Sequence, residues 1–197
     1  DIDGLDYLMD QVVETGDAKL LEERILAIHM LKTAVPAGTL ARMGALVGKG
    51  TEEQIEAMGR YFEGIGVAFQ CMDDVLNLRG LYSKESDKLQ VGTALKDLGE
   101  DIRCGKVTIP VAKAMAVLKD AAERRKLWDV IKSKPTDQAV IDDVIRQLEE
   151  LGAIEACVRQ AEDLVNDAWA ALDKVVPDSF AKMMLRSFGW FVIERSQ

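Results

Sequence analysis

Apolar residues recur along this chain at intervals of three and four, and the strict alternation of a half-buried strand is nearly absent. The pattern predicts an all-α fold. A first helix is expected from Leu5 to Val13, ending near Gly16. A second is expected from Ala18 to Val35, where Leu20, Leu21, Ile25, Ile28 and Leu31 fall at helical spacing. Pro36 interrupts or restarts it, and Ala37 to Val47 continues as a short helix closed by Gly48, Lys49 and Gly50. Thr51, followed by Glu52 and Glu53, is a helix start: a hydroxyl to cap and acids in the first turn. From there the pattern runs to about Leu78, roughly 40 Å of helix. Helices resume near Lys106, with Pro110 as an early kink, and again over about 121–132, 136–151, 153–175 and 178–194.

Residues 79–105 break this pattern. They are polar, glycine-punctuated and poorly periodic, and a connection of that length inside a compact domain is usually functional. No internal repeat or low-complexity stretch accompanies it.

Composition narrows the function. At 197 residues and 48% hydrophobic, the chain can bury a core as one domain or as a large piece of one. A net charge of −9 argues against a surface built for nucleic acid or anionic lipid, while leaving room for a local cationic pocket. No run of about 18 apolar residues is present, so no membrane span is expected. Cys71, Cys104 and Cys157 lie far apart without metal-ligand spacing, as reduced thiols of a cytoplasmic protein would. The chain opens on Asp1 without a signal peptide, which implies material removed or left out upstream.

Candidate chemistry centres on the adjacent acids of FQCMDDVLN, residues 69–77. On a helix, Gln70, Asp73, Asp74 and Asn77 form one polar stripe, with Glu63 and Gly66 on its extension. Phe69, Cys71, Met72, Val75 and Leu76 cover its flanks. Two readings fit: a solvated face with two surface acids, or a row of oxygen ligands on the wall of an apolar cavity. Mg²⁺ favours the second, because it binds through one or two carboxylates together with substrate phosphates. Lys32, Lys96 and Lys106 could converge on phosphate oxygens, although each alone would pass for a surface lysine. His29, one turn before Lys32 and Thr33, is taken as an ordinary helix residue, and Trp169 and Trp190 as core packing.

These segments resemble the trans-isoprenyl diphosphate synthase (polyprenyl synthetase) family, nearer its geranylgeranyl-type members than the farnesyl type. Phe69, Gln70, Asp73, Asp74 and Asn77 match the family's second aspartate-rich motif. Lys32 and Thr33 match its lysine-threonine pair, and Lys96 to Asp101 its downstream lysine element. Gly105, Lys106, Thr108 and Pro110 match its glycine-lysine step. Gly4, Leu5 and Asp6 resemble the end of a further element, where Asp3 occupies a variable position.

The resemblance implies an isoprenoid synthase-type helical bundle around a deep apolar cavity. The chain, 1–197, would be the C-terminal part of a single prenyltransferase domain, about two-thirds of a synthase, with its N-terminal helices missing. The implied activity is prenyl transfer: an allylic diphosphate condenses with isopentenyl diphosphate through a carbocation, giving geranylgeranyl diphosphate. Asp73 would bind Mg²⁺, with Asp74 and Asn77 as ligands or support. Lys32, Lys96 and Lys106 would hold the allylic diphosphate, while Thr33, Phe69 and Gln70 would line the place where the isopentenyl group reacts. Lys32, Thr33, Gln70 and Lys96 are the residues expected to serve catalysis.

The family's first aspartate-rich motif has no counterpart. Asp6 to Asp10 has the wrong spacing, and Asp142-Asp143 belongs to an expected surface helix. The alternatives are therefore a partner-dependent or non-catalytic subunit, the prenyltransferase domain of a bifunctional terpene synthase, and a class I terpene cyclase. Against a cyclase, Asn166-Asp167 begins its second metal motif, but Ala170 and Lys174 stand where serine and glutamate belong. A homodimer or larger homo-oligomer is expected, with Met58 and Val67 among the apolar positions available to it.

Overall fold

A computed structural model describes residues 5–80 and 98–194. Helices follow one another throughout, and no strand occurs among the described residues. In chain order they are α1 (Asp6–Thr15), α2 (Lys19–His29), α3 (Val35–Val47), α4 (Glu52–Arg79), α5 (Glu100–Arg103), α6 (Ile109–Val117), α7 (Ala121–Lys132), α8 (Gln138–Glu150), α9 (Ala153–Val175) and α10 (Phe180–Glu194). The all-α expectation holds.

Local chemistry accounts for most boundaries. The left-handed conformation of Gly16 closes α1, its N–H bonded to the Val12 carbonyl. At the start of α4, Thr51 and Gln54 cap each other: the Gln54 N–H donates to Thr51 Oγ1 at 3.3 Å and the Thr51 N–H to Gln54 Oε1 at 3.0 Å. Asp120 and Asp137 cap α7 and α8 in the same way, by accepting the N–H of Ala122 and Ala139.

One boundary differs from expectation. Pro36 does not break the second helix. Met30–Ala34 forms a π-helical turn, in which the Val35 N–H reaches back five residues to the Met30 carbonyl, and α3 follows without interruption. Proline has no N–H to give the Lys32 carbonyl the usual four-residue bond. The helix absorbs the fault by widening over one turn.

The described residues of Asp1–Ile25 and Asp73–Cys157 make one compact unit, and those of Leu26–Met72 and Val158–Arg195 the other. In the first, Met9, Val13, Leu21, Trp128, Ile131, Ile141 and Leu148 are fully buried. Arg79 at the end of α4 holds Glu149 of α8 through two bonds of 2.6 and 2.9 Å. Lys113 of α6 pairs with Glu22 of α2 at 3.1 Å.

In the second unit, Tyr61 of α4 is fully buried and donates its hydroxyl to the Leu185 carbonyl of α10 at 2.8 Å. Val67 is also core, at 4% exposure, so it is unavailable to the assembly surface expected of it. Exposed apolar side chains stand on the π-helical turn at Leu31, on α3 at Leu40, Met43, Leu46 and Val47, and on α10 at Phe180, Met183 and Phe191, among others. Trp190 departs from its expected core position too: it is 40% exposed and flanks the Arg186 guanidinium at 5.0 Å, opposite Trp169 at 5.2 Å.

Candidate functional site

The acid end of α4 lies in the first unit. Asp73 and Asp74 are half-buried on successive positions of the helix. Asp74 Oδ2 accepts the N–H of Ile109, the first residue of α6, at 3.2 Å. That N–H has no partner within its own helix, and a carboxylate is well placed to take it. Asn77 is buried at 4% exposure. Its Oδ1 accepts the Asp101 N–H at 3.0 Å, and its backbone carbonyl accepts the Gly99 N–H at 2.8 Å. Asn77 thus grips the short α5 segment as the chain returns. Gly99 makes that return with φ of 78° against Ile141, where an added methyl would meet Cγ2.

α5 in turn positions Lys106. Asp101 bonds it twice: Oδ1 receives the Lys106 ammonium at 2.5 Å, and the Asp101 carbonyl receives the Lys106 N–H at 2.9 Å. Burial works against the ammonium charge, but the Asp101 bond and nearby negative charge outweigh it, and the Lys106 pKa is raised above the ordinary lysine value. The pair therefore contributes stability that is complete below the ordinary lysine pKa and fades as pH rises through the raised one. In Asp101→Asn, NMR titration of the Lys106 side chain is expected to find a lower pKa than in the wild type. An unchanged value would show that Asp101 does not hold it.

The lysine-threonine pair and the Phe69-Gln70 step lie in the second unit. Lys32 is exposed on the π-helical turn, and Thr33 beside it is half-buried. Thr33 and Phe69 share the wall of an apolar cavity of about 550 Å³, together with Ala37, Leu40, Phe62 and Val192. That volume is within the range of small-molecule sites, and its lining suits a hydrocarbon. Gln70 is half-buried on the next position of α4. His29 is buried at 8% exposure.

Glu63 does not extend the polar stripe. Its carboxylate bonds Arg42 of α3 at 2.6 Å, with Glu56 on the same guanidinium at 3.2 Å. A partner 21 residues away claims the side chain, and the helical spacing of α4 carries no sign of it. Asn166, the start of the cyclase-like motif, is engaged similarly: Arg186 Nη2 donates to its Oδ1 at 2.9 Å. Asp10 pairs with Arg125 and Asp143 with Arg146, so both remain in surface ion pairs. Lys96, Asp3 and Gly4 lie outside the described residues.

Among the described residues no group of three His, Cys, Asp or Glu side chains is arranged for a metal. Asp73 and Asp74 are two adjacent carboxylates, a donor set that fits Mg²⁺ when substrate phosphate oxygens complete its shell. Sequence reasoning undervalued Asp101. Its signal was an acid five residues ahead of Lys106 across Gly105, close enough for a turn to fold one onto the other.

No helix among the described residues is long and apolar enough to cross a membrane. The chain is 32% identical over 174 residues to a short chain isoprenyl diphosphate synthase of Methanothermobacter thermautotrophicus, a match covering 88% of this chain and 50% of the relative. It is 37% identical over 119 residues to geranylgeranyl pyrophosphate synthase 11, chloroplastic, of Arabidopsis thaliana, covering 59% and 31%. Among solved structures, a decaprenyl diphosphate synthase from Rhodobacter capsulatus superposes with a TM-score of 0.73 at 28% identity, covering 100% of this chain and 60% of that one. The chain spans half or less of the length of these two curated relatives. The polyprenyl synthetase family model matches residues 5–148, so most of the sequence falls under it. With its helices, its Lys32-Thr33 pair and the FQCMDDVLN segment in the family's order, the chain belongs to the polyprenyl synthetase family.

Proposed function

We propose that this chain is the C-terminal part of a prenyltransferase that joins an allylic diphosphate to isopentenyl diphosphate, with Mg²⁺ as cofactor and geranylgeranyl diphosphate as product. The observation that carries the reading is the apolar cavity of the second unit, whose wall Thr33 of the lysine-threonine pair shares with Phe69.

Asp73 and Asp74 are the residues that would hold the metal, with Asn77 supporting α5 from behind. Bound Mg²⁺ supplies positive charge against the departing diphosphate. Lys32, Lys96 and Lys106 would meet the diphosphate oxygens as compact point charges, and Asp101 holds the Lys106 ammonium in place. As the allylic carbon–oxygen bond breaks, the diphosphate leaves with the bonding pair and an allylic cation remains. The double bond of isopentenyl diphosphate attacks that cation, a new carbon–carbon bond forms, and a proton is lost to restore an alkene. The apolar walls at Thr33, Ala37 and Phe69 offer few groups that would hold water beside the cation, which water would otherwise trap as an alcohol. The same reading includes a homodimer or larger homo-oligomer, which the exposed apolar side chains of α3 support.

The test is a condensation assay of the full-length protein with isopentenyl diphosphate, farnesyl diphosphate and Mg²⁺, products resolved by chain length. A C20 diphosphate is expected, and chelation of the metal abolishes its formation. Lys106→Ala is expected to raise the KM for the allylic substrate at least tenfold, roughly the worth of one charged contact in such a site. Cyclised hydrocarbon without added isoprene units would place the protein among cyclases. Turnover that appears only with a second polypeptide would make it a partner-dependent subunit.

A further inference from the structure

The π-helical turn at Met30–Ala34 has two causes, and Pro36 is only one of them. The other stands across from it on α4. A methyl built on Gly66 would sit 2.6 Å from Ala34 Cα and 3.1 Å from both its Cβ and its N, so the backbones of α4 and the turn meet with no room for a side chain. Ala34 is fully buried there, and Gly66 is buried opposite it. Glycine is a poor residue for the middle of a helix. Ala34 directly follows Lys32 and Thr33, and Gly66 shares the apolar cavity wall with Thr33 and Phe69. A wide turn persists only where its surroundings over-determine it. Here the missing N–H of Pro36 removes the narrow alternative, and the bare face of Gly66 receives the widened one.

We infer that Gly66 is a positioning residue: by having no side chain it seats the Met30–Ala34 turn against α4 and so sets where Lys32 and Thr33 stand beside Phe69. This deepens the proposed function, on which the substrate-binding roles of Lys32 and Thr33 rest. The contact that a side chain would meet is backbone, which cannot swing aside. Any residue larger than glycine must therefore push the turn away from α4, and a displacement of about 1 Å at a positioning element costs on the order of 10²-fold in rate.

The experiment compares Gly66→Ala with Gly64→Ala in the full-length protein. A methyl at Gly64 would be crowded less severely, 3.0 Å from Ala168 Cβ and 3.1 Å from the Leu164 carbonyl oxygen, and against α9 rather than the turn. Both variants replace a helical glycine by alanine, so propensity is matched. Two readouts are taken: amide hydrogen exchange over residues 30–37 by mass spectrometry, and kcat and KM for condensation. Gly66→Ala is expected to speed exchange across 30–37 and to lower kcat/KM for the allylic diphosphate about 10²-fold, whereas Gly64→Ala leaves both near wild type. Wild-type exchange and kinetics in Gly66→Ala would overturn the inference, and so would equal losses in Gly64→Ala. If Gly66→Ala does not fold, Ala34→Ser inserts a smaller wedge from the other side of the same contact. It must then give the same pattern in lesser degree, and wild-type behaviour would again overturn the inference. A wild-type protein that folds but never condenses the two diphosphates defeats the proposed function instead, while its exchange data still report separately on the seat.

Discussion

Asp73→Ala is expected to lower condensation turnover by about 10²–10³-fold, the effect of weakening the hold on a metal that would stabilise the departing anion. Asp73 is half-buried on α4, one position ahead of an acid with a separate structural task. Asp74 Oδ2 holds the Ile109 N–H at the start of α6, so Asp74→Ala is expected to cost about 1 kcal/mol of stability as well as activity. Steady-state kinetics at saturating Mg²⁺, beside a thermal melt, make the comparison. Wild-type turnover in Asp73→Ala would sink the metal assignment, and an unfolded variant would show the residue to be structural.

The largest effect on stability is expected at Arg124, a residue with no part in the catalytic proposal. This guanidinium is 4% exposed and donates to three backbone carbonyls: Nε to Val13 at 2.7 Å, Nη1 to Leu118 at 2.6 Å and Nη2 to Glu14 at 3.2 Å. Val13 and Glu14 close α1, and Leu118 follows the last residue of α6. Carbonyls at helix C-termini have no partner within their own helix, and a cation there also meets the negative end of the helix dipole. Arg124→Met keeps much of the volume and removes every donor. It is expected to cost about 2–3 kcal/mol, since three carbonyls lose their donor and that of Val13 is buried. Urea unfolding measures it. A loss below about 1 kcal/mol, the value of a single ordinary hydrogen bond, would mean that water replaces the guanidinium and that the clamp contributes little.

Arg124 also marks the boundary of what sequence reading reached. An arginine in the first turn or two of an amphipathic helix looks like a surface residue. Its burial follows from α1, more than a hundred residues earlier in the chain, ending where its carbonyls need donors.

What the sequence determined by itself is what depends on near neighbours. Helical periodicity placed α4, α7 and α9 almost to the residue, because a stripe of apolar positions can be buried only if the backbone turns every 3.6 residues. The Thr51 cap and the Gly16 stop were legible for the same reason, since each partner lies within four residues. The family resemblance was legible in Lys32-Thr33 and the FQCMDDVLN segment, and the match over residues 5–148 agrees with it.

The tertiary structure alone decided which polar residues were already engaged. Glu63 shared the α4 stripe with Asp73 by spacing, yet Arg42 takes it. Asn77 had the spacing of a metal ligand, yet its amide oxygen receives the Asp101 N–H. Val67 could have faced outward and is core, while Trp190 was expected in the core and stacks on Arg186 at the surface. Even Pro36, read as a break, became a widened turn because α4 offers Gly66 to receive it. Local spacing says which residues share a face. Whether that face meets solvent, a hydrocarbon cavity or an oppositely charged side chain depends on elements tens of residues away, and only their packing supplies the answer.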